Sequence, residues 1–214
     1  MAFEERERFA DRKEAARLLA ARLSVYKGTK PLVLAIPRGA VPMGRILADA
    51  LGGELDVVLC HKIGSPSNPE FAVGAVSEDG EVTIAPYADQ LGIPKTLMER
   101  GVQEQLLALR ERRRLFTPYR AAMNVQGRVV IIVDDGIATG STVLSAIQLV
   151  KRQKPKKVIV ASAIAPPDVL RKLEQEADEV VILRVEMNFG AVGELYEDFS
   201  QVSDEEVIEC LKTP

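Results

Sequence analysis

The sequence has no tryptophan, one histidine (His61) and two cysteines (Cys60 and Cys210), and aromatic residues make up 5% of its 214 residues. Each scarcity closes a class of function. Two cysteines far apart cannot staple a small secreted scaffold, and with one histidine they do not make a zinc site. Free thiols in a reducing compartment is the reading that remains. No apolar run approaches the roughly 20 residues of a membrane-spanning helix, and no basic leader precedes an apolar segment. A soluble, cytoplasmic protein with no membrane contact is expected. A formal charge of -3 speaks against a general nucleic-acid binder. The dense basic run Arg110-Glu111-Arg112-Arg113-Arg114 points several ways on a helix, so a solvated face is its default reading.

What the chain does have is a set of short apolar runs, each ending in a small-residue loop. Its length fits one domain, 1–214, with a core over about 30–185. The stretch Val129–Thr142, VVIIVDDGIATGST, organises the rest. An unbroken Val/Ile run reads as a strand buried on both faces of a parallel sheet. The loop after it falls at the carboxyl end of that strand, where open α/β sheets bind ligands.

Upstream, 9–23 has helical spacing, with Asp11 suited to the helix start, and Gly28 and Pro31 break it. Residues 32–36 read as a strand, Pro37-Arg38-Gly39-Ala40 as a tight loop, 41–51 as a helix stopping at Gly52-Gly53, and 55–60 as a second strand. The segment 61–70, HKIGSPSNPE, is dense in Pro, Ser, Gly and Asn and reads as a mobile loop. Two strands at 71–76 and 81–86 meet at Asp79-Gly80. A helix follows over 94–116, with Met98, Val102, Leu106, Leu109 and Phe116 on one side; Gly101 weakens it by about 1 kcal/mol. Then come a helix at 142–153, a strand at 157–164, a helix at 167–176 and a strand at 179–185. The tail is irregular, with a last helix near 203–211. The expected class is α/β, a mostly parallel sheet flanked by helices.

Chemistry concentrates in Asp134-Asp135-Gly136-Ile137-Ala138-Thr139-Gly140-Ser141-Thr142. Adjacent carboxylates repel, so hydroxyl donors, a metal or a cation should compensate them. The amides and hydroxyls after them offer the donors that a phosphate monoester needs. No lysine stands where GxxxxGK[ST] requires one, which disfavours a nucleoside triphosphate site of that type. An ordinary strand-to-helix turn with two solvated acids and a Thr cap is the bland alternative.

With these residues in view, the stretch resembles the diphosphate-sugar signature of the type I phosphoribosyltransferases. The segments ADRKEAARLLA, LAIPRGAVP, HKIGSPSNPEFAVGAV, VDDGIATGST and FGAVGELYEDFSQVSDEEV together resemble a bacterial group of predicted phosphoribosyltransferases. The resemblance implies a Rossmann-like core with a small hood from 1–29 and 186–214. It implies that Asp134 and Asp135 contact the ribose hydroxyls of 5-phosphoribosyl-1-diphosphate, that Gly136 lines the same sugar site, and that Ala138, Thr139, Gly140, Ser141 and Thr142 bind its 5′-phosphate. Arg38, Gly39 and Ala40 would hold the diphosphate, with Mg²⁺ reached through substrate oxygens and water rather than by direct protein ligands.

Lys62 is the candidate second cation, on a lid over 61–70 that excludes water. His61 reads as a packed or capping histidine. Ala138 stands where the 6-oxopurine branch carries an aspartate, so the loop resembles the adenine and uracil branches and leaves the base open. Phe189, Tyr196 and Phe199 are candidates for stacking on that base, with Asp198 reading its edge; a hydrophobic cluster anchoring the hood is the competing reading. The implied reaction is transfer of a 5-phosphoribosyl group to a nitrogenous base by a homodimer. The alternative is a non-catalytic nucleotide or diphosphate-sugar sensor, with Arg112 to Arg114 on RNA.

Overall fold

Along β6 (Val129–Asp134), Val129, Ile131 and Val133 join one apolar cluster while Val130 and Ile132 join another. That is the two-residue period of a strand buried on both faces. In the computed structural model, which describes residues 8–65, 68–84, 95–118, 121–187 and 189–212, β6 is the centre of a five-stranded, all-parallel sheet. The order is β2 (Glu54–Val57), β1 (Leu32–Ala35), β6, β7 (Lys157–Ala165), β8 (Glu179–Val185). Helices α1 (Arg12–Arg22) and α2 (Val41–Leu51) cover one face. On the other lie α4 (Ser141–Arg152) and α5 (Pro167–Glu176). The α/β expectation holds.

From β1 the chain winds outward to β2 on one side, and from β6 it winds through β7 to β8 on the other. The gap between β1 and β6 is therefore a topological switch point, where the loops leaving two neighbouring strands diverge and open a crevice. Register fixes the two loops side by side, since Ala35 lies opposite Val133 and the Ile36 amide donates to the Val133 carbonyl at 3.0 Å.

Three expectations need correction. The second strand ends at Val57, and the chain leaves the parallel sheet at Val58-Leu59. Residues 61–70, expected as a mobile loop, are mostly strand. Here β3 (Cys60–Ser65) and β4 (Asn68–Ser77) pair antiparallel, and β5 (Val82–Ile84) completes a separate three-stranded sheet. Register shifts on either side of Gly64 absorb the turn-forming residues that suggested a loop, and β3 is an edge strand, where such residues are tolerated. Thirdly, α1 packs on α2 and on β7 and β8 as a layer of the core, so among the described residues it is those just before and at its start that reach the hood.

The long helix α3 (Lys95–Phe116) lies against β3 and β4 and buries Leu106, Leu109 and Phe116. Arg113 on it ties the two sheets together. Its guanidinium donates to the Asp56 carboxylate of β2 at 2.7 Å, to Glu78 of the β4–β5 turn at 2.5 Å and to the Val57 carbonyl at 2.9 Å. Asp56 is 1% exposed and also accepts the Met123 and Val57 amides, each at 2.8 Å. The basic run is thus split: Arg113 is a half-buried clamp between two acids, while Arg112 and Arg114 are exposed.

Candidate functional site at the carboxyl edge of the sheet

Asp134 is the last residue of β6 and Asp135 the first of the loop, so both carboxylates stand at the switch point. Burial, and then the charge of Asp135, hold the Asp134 carboxyl well above the usual aspartate range. The Asp135 amide donates back to Asp134 at 2.9 Å. The expected compensating cation is present, and it comes from the chain's beginning: Arg12 Nε donates to Asp135 Oδ2 at 2.7 Å, with both side chains largely enclosed.

Loop 37–40 closes on the same carboxylate. The Pro37–Arg38 peptide is cis. A Cβ on Gly39 would lie 2.0 Å from Asp135 Oδ2, so no residue but glycine fits against that acid as it stands. Arg38 Nη1 reaches Asp204 of α6 (Asp204–Lys212) at 3.4 Å, with both side chains about a third exposed. Such a pair contributes less than about 1 kcal/mol, so Arg38 turns to another anion at little cost. Arg38 and residues 201–205 line a pocket of about 250 Å³.

Beyond the acids, the chain makes the turn into α4. Gly140 precedes the helix with φ +76°, a conformation glycine adopts readily. Among the described residues no side chain caps this helix end, so its first-turn amides are without a cap and are suited to an anion. The Thr139 and Ser141 hydroxyls pair with each other at 3.2 Å beside it, and Thr139 and Thr142 are exposed.

The hairpin starts against this loop. The Cys60 thiol lies 3.8 Å from the Thr142 carbonyl. Burial and the nearby Asp134 push that thiol up to about 12, which leaves it protonated and poorly nucleophilic at neutral pH. Lys62 stands two residues along, opposite Ala75, and its side chain lies outside the described parts. His61 is exposed on the same strand.

The hood forms a stack. Tyr196 is 2% exposed, its hydroxyl donates to the Asp135 carbonyl at 2.6 Å, and its ring meets Phe9 and Phe199 at 5.6 and 5.0 Å between centroids. Burial, with Asp135 next, raises its phenol. Tyr196, a candidate base-stacking ring, is thereby an anchor of the hood on the acid loop. Phe199 is half-buried and carries the Arg12 guanidinium 3.7 Å above its ring centre. Phe189 is half-buried within the same apolar cluster. Asp198 is exposed and accepts the Ser200 amide at 3.0 Å. Arg12 is the residue of the candidate site that sequence reading misses. It sits within the quoted segment ADRKEAARLLA, but nothing in its spacing ties it to an acid 123 residues away.

Among the described residues no three His, Cys, Asp or Glu side chains gather as a metal cage, and no helix is long and apolar enough to cross a membrane. The carboxylates at 134 and 135 are hard oxygen donors at the mouth of the crevice, suited to Mg²⁺ through water.

Residues 7–198 match the family model described as the phosphoribosyl transferase domain. A predicted phosphoribosyl transferase of Mycobacterium tuberculosis is 39% identical over 204 residues, 95% of this chain and 46% of its own length. The chain therefore spans about half the length of the curated relatives it matches at this level. The crystal structure of TT1426 from Thermus thermophilus is 43% identical with a TM-score of 0.88, covering 95% of this chain and 97% of that one. A shorter match of 52 residues, 24% of the chain, is 40% identical to the uracil phosphoribosyltransferase of Mycoplasma genitalium, a quarter of whose length it covers.

Proposed function

From the premise that the chain belongs to the phosphoribosyl transferase domain family, we propose that it transfers a 5-phosphoribosyl group from 5-phosphoribosyl-1-diphosphate to a nitrogenous base, releasing pyrophosphate. The observation that carries this reading is the convergence at the switch point. Loop 37–40 touches Asp135, and the uncapped start of α4 lies a few residues beyond.

In this reading Asp134 and Asp135 accept hydrogen bonds from the ribose hydroxyls. The main chain from Gly136 to Thr142, with the Thr139, Ser141 and Thr142 hydroxyls, holds the 5′-phosphate. Arg38 with the amides of Gly39 and Ala40, and Lys62 from the hairpin, hold the diphosphate. The acceptor nitrogen forms a bond to the anomeric carbon as the bond to the diphosphate oxygen breaks, the electron pair leaves with pyrophosphate, and the proton of the acceptor N–H passes to the departing pyrophosphate or to water. The chain contributes positioning and charge neutralisation. Asp134 and Asp135 would reach Mg²⁺ through substrate oxygens and water, and the ion would supply further charge compensation to the diphosphate.

Of the three candidate rings, Phe189 stays a candidate for the base, while Tyr196 orients the acid loop and Phe199 is packed by Tyr196 and the Arg12 guanidinium. Ala138 in place of an acid favours adenine or uracil over hypoxanthine or guanine, and the local likeness to a uracil enzyme agrees with that order. We further propose one working unit over 1–214, active as a cytoplasmic homodimer. The split of the basic run by Arg113 counts against the RNA-binding alternative.

The test is pyrophosphate release from the diphosphate sugar with Mg²⁺ and a panel of bases, uracil and adenine first. Turnover with one base is expected. Tight sugar binding with no turnover on any base would turn the reading to a sensor.

A further inference from the structure

One guanidinium touches three parts of the candidate site, the acid loop, loop 37–40 and the hood. Arg12 Nε donates to Asp135 at 2.7 Å and Nη1 to the Ser200 carbonyl at 2.7 Å, while the group lies 3.7 Å over the Phe199 ring. Its Nη2 comes within 3.1 Å of the Cβ position of Gly39. The fork is held before any ligand arrives. Asp11 caps α1 by accepting the Glu14 amide at 2.7 Å, Glu14 accepts the Ala10 amide at 2.6 Å, and the Asp198 amide donates to the Ala10 carbonyl at 2.9 Å. The reciprocal cap and this short strand-like contact fix where Arg12 leaves the backbone.

We propose that Arg12 is a positioning residue for the transfer reaction: it fixes the Asp135 carboxylate toward loop 37–40 and, with the same group, pins the hood over that point. The inference rests on the reading of the site given above. A carboxylate has about four acceptor positions. Arg12 takes one on Oδ2, which leaves room for sugar hydroxyls, so the ion pair orients the acid rather than blocking it. Because the group that sets the ribose acid also bonds the Ser200 carbonyl and packs on Phe199, it fixes the hood, and through the hood sugar capture and acceptor capture are coupled. A lysine would restore the charge but, as a single point donor, cannot serve the acid, the carbonyl and the ring together.

The experiment compares the wild type with Arg12→Gln and Arg12→Lys. It uses calorimetric binding of 5-phosphoribosyl-1-diphosphate with Mg²⁺ and steady-state kinetics in the acceptor, with circular dichroism to check folding. Arg12→Gln should weaken sugar binding about ten- to a hundredfold, the scale of a displaced catalytic group. Arg12→Lys should recover most of that affinity while the acceptor KM stays raised, a split that a general loss of stability would not give. Sugar affinity equal to or tighter than wild type in Arg12→Gln overturns the inference, as does an Arg12→Lys that behaves as wild type in both measurements. Should Arg12→Gln not fold, the Arg12→Lys split alone decides. A wild type that binds no diphosphate sugar overturns the reading of the site, and this inference with it. A wild type that binds it beside an equally tight Arg12→Gln overturns the inference alone.

Discussion

Asp134 carries the cost of putting two carboxylates at one strand end. Arg12 neutralises Asp135, while Asp134 has burial and a like charge acting on it together. Its folded-state proton affinity is raised, so between the ordinary carboxylate range and the raised value the folded protein binds more protons than the unfolded chain. Stability then falls as pH rises through that window. Asp134→Asn has nothing to titrate and escapes the loss. Melting curves of wild type and variant should therefore diverge as pH climbs from the acidic side toward neutral, with the variant more stable. A gap that does not change with pH would count against the strained acid. Neutralising Asp135 as well forfeits part of that gain, because Arg12 would be left enclosed without its anion.

Between elements, the arrangement depends on contacts that local sequence does not advertise. The strands at 32–36, 157–164 and 179–185 and the helices at 41–51 and 167–176 were legible, because Val/Ile runs and Gly or Pro punctuation act locally. The hairpin was not. Pro, Ser and Gly in 61–70 favour a turn, and what makes Gly64 and Ser65 strand is their pairing with Ala72 and Asn68 of β4 across shifts of register, which no periodicity in the sequence marks. Within the candidate site, the acids, Gly39 and the α4 turn stood out because each combines unusual chemistry with a strand end. Arg12 and Arg113 did not, since a helix with several arginines gives no sign of which one turns inward. Arg113 is the more consequential for stability. It holds Asp56, which is 1% exposed, and links α3, the β4–β5 turn and the parallel sheet. Arg113→Ala leaves that acid buried without its cation, and should cost about 3–5 kcal/mol, read from urea unfolding. A loss under about 1 kcal/mol would mean that the clamp is dispensable.

At the scale of the whole molecule, the two edges of the parallel sheet have different work. The amino edge holds Tyr26, Lys157 and Glu179, where Lys157 Nζ donates to Glu179 at 2.7 Å and Tyr26 bonds both. This is a tie between the first residues of β7 and β8 and Tyr26, in the single helical turn that follows α1. The carboxyl edge gathers the acids, loop 37–40, the start of α4, the base of the hairpin and the hood. The most direct measurement on the proposed function is a calorimetric titration of 5-phosphoribosyl-1-diphosphate with Mg²⁺ into wild type and into the Asp134→Asn, Asp135→Asn double variant. The wild type should bind one sugar per chain, and the double variant, still folded, should bind none. Equal affinity in the two proteins would contradict the assignment of these acids to the ribose.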